Sequence, residues 1–379
     1  MFVGLVVVHE LGHFFAARRN GVVVEEFGIG FPPTAWSRKL KSGLLFSINW
    51  LPLGGFVRLK GEHDADKSAG SYGRASLWGK TKIMVAGVGM NLVTAYVLLL
   101  ILALVGMPKL VDNQFIVERD SRVVTNEVLI GFVEPDSPAH TAGLQTNDRL
   151  MHIGPVLNGD CSPGTGVRQS TCADKNSVTT SDALPSITVR YASQAVPVTI
   201  VRKGQTLTKT ITLRSHDEVE KSLKTDNPKG YLGISPTEYT LRRSTWSAPI
   251  VAAGLIKQFT QLTLSGIGHA LGGLAQGHAK EASQQVAGPI GIFVLLKDGS
   301  ALGYQFVLMI IAIISLTLAI MNVLPIPALD GGRLFVTYLF RIVRRPLTKK
   351  KEEWIHGTGF AMLMVLFVLI TIVDIQRNF

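Results

Sequence analysis

His9-Glu10-Leu11-Gly12-His13 stands inside an apolar stretch near the start of the chain. On a helix, two histidines four residues apart share one face, where both imidazoles can bind one metal ion. The glutamate between them points near enough to act on a water held by that ion. Phe2-Val3-Gly4-Leu5-Val6-Val7-Val8 leads straight into the motif, so its ionisable groups lie where hydrocarbon makes them costly and therefore functional. Catalytic zinc needs three protein ligands and keeps its fourth position for water. Asp330 is the candidate third ligand, in Asn322-Val323-Leu324-Pro325-Ile326-Pro327-Ala328-Leu329-Asp330-Gly331-Gly332. Pro325 and Pro327 cannot continue a helix, so the backbone is expected to unwind there and to line a polar cavity. Flexible Gly331-Gly332 is expected to let Asp330 reach into that cavity. The blander reading makes Asp330 an interfacial aspartate capping a turn.

The elements that position these residues read as membrane spans. Hydrophobic residues make up 47% of the 379, charged residues only 17%, where a soluble chain carries about a quarter charged. The net charge of +11 does not point to nucleic acid, because the basic residues cluster beside apolar spans. Four apolar segments are expected to span: Met1 to Ala17, Ile83 to Met107, Tyr304 to Leu324 and Ile355 to Val373. The first is short against the roughly 20 residues a span needs, so the true start is expected upstream or at the membrane surface. A cleaved signal peptide is disfavoured, since no basic n-region and no Ala-x-Ala site is present. Ser244 to Leu274 looks amphipathic and is expected on the outer membrane surface.

Orientation follows from lysine and arginine. Arg18 to Lys82 holds eleven basic and five acidic residues, and Arg341-Ile342-Val343-Arg344-Arg345 with Lys349-Lys350-Lys351 forms a second basic cluster. Both loops are expected to be cytoplasmic. The segment from Pro108 to Gly303 then lies outside. Within it, Leu129-Ile130-Gly131-Phe132-Val133 alternates like a strand. Glu134-Pro135-Asp136-Ser137-Pro138 turns into Ala139 to Leu144, and Asp148-Arg149-Leu150 follows. This resembles a PDZ domain, which implies a groove receiving an extended peptide; the plainer reading is a spacer. Further strands fit Ile187 to Tyr191, Val196 to Arg202, Leu207 to Leu213 and Tyr231 to Ile234. The polar stretch 158–182 reads as a loop insertion containing Cys161 and Cys172, for which a disulfide is expected on an extracytoplasmic face. The other histidines, His63, His140, His152, His216, His269, His278 and His356, lack paired spacing and are expected at the surface.

With His-Glu-x-x-His early, Asn-x-x-Pro-x-Pro-x-Leu-Asp-Gly-Gly late and a PDZ-like segment between, the chain resembles the PDZ-containing bacterial site-2 proteases. These are zinc metalloproteases that cut transmembrane segments within the bilayer. Phe27-Gly28-Ile29-Gly30-Phe31-Pro32-Pro33 is similar to the family's Gly-rich segment. Phe46 to Val57 is similar to its membrane-associated β-hairpin, and Ala287-Gly288-Pro289-Ile290-Gly291-Ile292 to the stretch before its third span. The family's Gly-Pro-x-x-Asn appears as Gly87-Val88-Gly89-Met90-Asn91, without the proline.

The resemblance implies a polytopic α-helical protein of about four spans, with a β-hairpin and an inserted extracytoplasmic PDZ-like α+β domain. The expected organisation is a membrane part over 1–107, the PDZ-like domain over 112–237, an amphipathic helical linker over 244–275 and a second membrane part over 287–379. It implies Zn²⁺ held by His9, His13 and Asp330, with Glu10 as general base and Asn322 stabilising the substrate or its oxyanion. Asn91 reads as structural. The expected partners are the lipid bilayer, single-pass transmembrane substrates such as anti-sigma factors or remnant signal peptides, and an upstream site-1 type protease that trims them. The expected location is the bacterial cytoplasmic membrane. Two other classes compete: a catalytically inactive PDZ scaffold, which would not need Glu10, and a metal transporter, which would need further ligands across the membrane.

Overall fold

The computed structural model describes residues 2–155, 175–225, 227–276 and 288–378. Cys161 and Cys172, and the disulfide expected between them, lie outside the described residues. The chain divides into two compact units. One comprises Met1–Ile101, Pro249–Lys297 and Val307–Phe379; the other comprises Leu102–Ala248 and Asp298–Phe306.

The first unit is helical with one small sheet. Helix α1 (Phe2–Arg19) carries the His-Glu-x-x-His motif and ends on Arg18 and Arg19. Strands β1 (Val24–Lys39) and β2 (Leu45–Leu59) then pair antiparallel with strong irregularity. Phe27 and Gly28 pair with both Phe46 and Ser47 on one side and Val57 and Phe56 on the other. Leu45 to Ile48 is in turn paired again by Trp36 to Lys39. The stretch from Gly55 to Arg58 is therefore paired on one side only, and the free edge is confined to this end rather than running over Phe46 to Val57. Buried Glu26 accepts from Ser47 Oγ at 2.6 Å and meets Arg58 at 2.7 Å, which ties the central strand to both neighbours.

Helix α2 (Leu77–Val105) lies against α1 at glycine contacts. A β-carbon on Gly12 would collide with the Ala86 carbonyl, so the two backbones meet where no side chain intervenes. Four helices are long and apolar enough to cross a membrane among the described residues: Leu77–Val105, Ala248–Gly273, Tyr304–Val323 and Lys349–Gln376. The second of these covers most of Ser244 to Leu274, the stretch expected on the outer membrane surface. Helix α6 (Ala248–Ala275) has the length and composition of a span, because Lys257 is its one Lys, Arg, Asp or Glu residue. Helix α1 is not among the four; its 18 residues include Glu10, Arg18 and Arg19.

The second unit holds a six-stranded sheet in the order β3-β8-β4-β5-β6-β7. These strands are β3 (Met107–Pro108), β4 (Arg122–Val133), β5 (Arg149–Ile153), β6 (Ala195–Arg202), β7 (Gln205–Thr212) and β8 (Ile234–Arg243). Short helices α3 (Pro138–Thr141), α4 (Ala183–Thr188) and α5 (His216–Ser222) accompany it. Val128, Ile130, Leu150, Ile153, Val198 and Ile200 form its core. The expected strand at Ile187 to Tyr191 is instead the end of α4 and a 3₁₀ turn over Val189–Tyr191. Leu184, Ile187 and Thr188 bury one face at helical spacing, and this outweighs the β-branched composition. Tyr231 to Gly233 is a bend, with Gly233 at φ 75°, and the strand begins only at Ile234.

Later in the chain, α7 (Pro289–Gly299) is followed by α8 (Tyr304–Val323), α9 (Asp330–Ile342) and α10 (Lys349–Asn378). The chain leaves helical geometry at Leu324 to Leu329, with Ala328 at φ 84°. Gly331 and Gly332 are not flexible joints. Both are helical, and a β-carbon there would strike the Val323 and Ile326 carbonyls, so glycine lets the new helix fold back tightly on the turn. The Ala328 amide donates to His356 Nδ1 at 3.2 Å. His356 is thus half-buried and holds the turn, contrary to the surface position expected for it.

Candidate metal centre and active site

Helix α1 aims His9 and His13 at one point because they are four residues apart, and both are buried. The turn after α8 brings Asp330 to the same point from the far end of the sequence. His9 Nε2 lies 3.0 Å from Asp330 Oδ2, His13 Nε2 lies 3.1 Å from it, and the two imidazole nitrogens are 3.0 Å apart. These three residues form the one His/Cys/Asp/Glu group able to hold a metal among the described residues. Neighbouring ligands of a tetrahedral ion with bonds of about 2.0–2.1 Å lie roughly 3.3 Å apart, so the triangle has nearly the right size.

The donor set also fits in its protonation. His13 Nδ1 donates to the Ile83 carbonyl at 2.8 Å. A carbonyl only accepts, so Nδ1 carries a proton, and in the neutral ring that ligates a metal Nε2 then presents the lone pair. Asp330 Oδ2 is buried and lacks a hydrogen-bond donor of acceptable geometry, despite the two nitrogens beside it. Two imidazole nitrogens beside an orphaned buried carboxylate oxygen make three donor atoms that a cation satisfies.

Asn91 of α2, which sequence reasoning set aside as structural, is 3.3 Å from His9 Nδ1. It is buried, its backbone carbonyl accepts from Ser315 Oγ at 2.8 Å, and its Oδ1 has no partner. Turning the amide over lets Oδ1 accept from His9 Nδ1–H, which satisfies that oxygen and leaves His9 Nε2 free to ligate. Its place in Gly87-Val88-Gly89-Met90-Asn91 was the signal, since Gly87 and Asn91 are one turn apart on a single face.

A cavity of about 320 Å³ opens beside the centre, lined by Glu10, His13, Asp330, Met84 and the Phe56 to Leu59 end of β2, with Glu62 and Arg333 also on its wall. Glu10 therefore faces the cavity. Its carboxylate lies against the Val57 amide, and the Leu59 amide donates to Glu62 Oε1 at 2.8 Å. In an antiparallel strand alternate amides point the same way. The outward amides at Val57 and Leu59 thus mark an edge that faces the cavity and is capped by two carboxylates. Asn322, next to last in α8, is half-buried and does not line this cavity.

A model described as peptidase family M50 matches residues 1–366. The chain belongs to peptidase family M50. Relatives provisionally named zinc metalloproteases match along nearly their whole length. One from Clostridium perfringens is 30% identical over 376 residues, covering 99% of this chain and 96% of the relative. One from Campylobacter jejuni is 28% identical, covering 98% and 90%, and one from Fusobacterium nucleatum is 25% identical, covering 100% and 98%. This M50 peptidase is accordingly a zinc metalloprotease, and its apolar helices make it an integral membrane protein.

Proposed function

We propose that this M50 peptidase is an intramembrane endopeptidase of the site-2 type, with His9, His13 and Asp330 as its zinc ligands and Glu10 as its general base. The single observation that carries the reading is the convergence of two histidines and one aspartate, from opposite ends of the chain, beside a cavity lined by Glu10. Zinc, when bound, supplies Lewis acidity and lowers the pKa of water toward neutrality. Glu10 takes the proton of the attacking water and returns it to the leaving amine. Asn322 remains the candidate for a hydrogen bond to the substrate.

A helical substrate must unwind before its scissile carbonyl is accessible. The edge formed by Gly55 to Leu59 offers replacement bonds to an extended segment. On binding, the substrate backbone takes the places now filled by Glu10 and Glu62, which frees Glu10 for proton transfer. Substrates on this reading are single-pass membrane proteins in the cytoplasmic membrane, such as anti-sigma factors or remnant signal peptides, trimmed first by a site-1 type protease. The sheet unit, proposed as PDZ-like and extracytoplasmic, admits such trimmed chains. An inactive scaffold has no use for a carboxylate at the position of Glu10.

The test uses purified protein in detergent with a single-pass model substrate, comparing wild type with Glu10→Gln. Cleavage lost in the variant with zinc retained at one ion per chain supports the protease. Equal cleavage, or wild type without zinc, overturns it.

A further inference from the structure

Helix α9 has two apolar faces. Gly332, Val336 and Thr337 are buried, whereas Phe335, Tyr338, Leu339 and Ile342 are exposed, Ile342 to 76%. Spacings of three and four make the second set a continuous stripe. Arg341, Arg344 and Arg345, all exposed, border its end. Among the described residues no carboxylate lies within ion-pair distance of these arginines.

The depth of α9 follows from α2. The Tyr338 hydroxyl is 2.9 Å from Thr81 Oγ1, and Thr81 lies near the start of α2. Beside it Trp78 is exposed, with Lys82 Nζ 5.5 Å from its ring centroid. Tryptophan, tyrosine and lysine grouped at the end of an apolar helix mark a membrane–water boundary. At about 1.5 Å per residue, the 13 residues of α9 are too few to span the hydrocarbon. Its Tyr338 turn therefore lies at that boundary, with Ile342 to Arg345 one turn further on.

We propose that the exposed face of α9, with Arg341, Arg344 and Arg345, binds anionic phospholipid of the bilayer. The apolar stripe enters the acyl region, and the guanidinium groups take the headgroup phosphates, whose oxygens they match in geometry. A second copy of the chain is the poorer occupant, because a two-fold contact of this face would set arginine against arginine. The consequence is positional. Asp330 opens the same helix, so lipid seated at the Ile342 to Arg345 end steadies the element that carries it. Only this effect on cleavage rests on the protease reading; lipid capture does not.

The test places the full chain in lipid nanodiscs of phosphatidylcholine with a minority of phosphatidylglycerol. Spin-labelled versions of each lipid report which one lines the protein, and amide exchange reports on α9. Wild type should hold phosphatidylglycerol preferentially, and α9 should exchange more slowly than in pure phosphatidylcholine. The triple variant Arg341→Gln, Arg344→Gln, Arg345→Gln should lose most of that preference, each surface arginine being worth about fivefold. Lys203→Gln, Lys224→Gln, Lys229→Gln, with the same charge change elsewhere, should keep it. Glu10→Gln should also keep it, whatever its cleavage. No preference in wild type, or equal loss in the lysine control, overturns the proposal. So do two copies per particle with α9 already protected in pure phosphatidylcholine.

Discussion

Gly87 of α2 lies so close to His9 that a β-carbon on it would come within 2.7 Å of the His9 ring carbon Cε1, and it would press on His13 Nε2 as well. The two imidazoles are thus seated against bare backbone. Gly87→Ala should displace both rings, and a shift approaching 1 Å in such a site costs on the order of 10²-fold in rate. Gly89, two residues on, has open space around it, so Gly89→Ala should cleave as wild type does. Zinc content and turnover of the pair, measured together, check this, and equal behaviour would refute it.

Asn91 should matter through its acceptor oxygen. Asn91→Leu removes the partner of His9 Nδ1 and should weaken zinc binding 10- to 100-fold, the usual cost of losing such support. Asn91→Asp keeps an acceptor and should stay close to wild type. Competition with a chelator of known affinity measures both. If the leucine and aspartate variants fall together, orientation of His9 is not the role of Asn91.

The free edge of β2 makes a separate prediction. Val57→Pro removes an outward amide and none of the ladder bonds to β1. It should retain zinc and lose cleavage of a helical transmembrane substrate. Unchanged turnover would show that the substrate does not pair there.

In the sheet unit, Asp120 accepts from the amides and hydroxyls of Thr245 and Ser247 at 2.5–2.9 Å. Desolvation raises its pKa, but these hydrogen bonds outweigh it and hold the carboxyl below the usual range. A depressed carboxylate stabilises the fold above its unfolded pKa of about 3.9 and loses that contribution as pH falls through the folded value. Asp120→Asn should be less stable than wild type at neutral pH, with the gap closing in acid. Thermal melts across pH 7 to 3 test the sign, and a gap that widens in acid contradicts it.

Much of this was readable from the chain because the chemistry is written in fixed spacings. Residues four apart on a helix must face together, so His9 and His13 needed no coordinates. Two prolines before Asp330 signalled a helix break. What the chain concealed depended on contacts distant in sequence. Gly331 and Gly332 suggest flexibility until the Val323 and Ile326 carbonyls are seen behind them. Ile187 looks like a strand residue until its burial with Leu184 is known. Asn91 is one polar residue in an apolar helix, and only the His9 ring beside it reveals a task. Helix α6 reads two ways, since its polar side chains suggest a surface helix and its length suits a span.

His13 and Asp330 are separated by more than three hundred residues. At typical rates of synthesis, of roughly 5–20 residues per second, the ribosome takes tens of seconds to pass from one to the other. Throughout that interval the nascent enzyme holds only two of its three proposed zinc ligands. On the reading proposed above, a centre with two of its three ligands does not cleave, so activity is withheld while the chain is being made. It is armed only when its own final segments are in place.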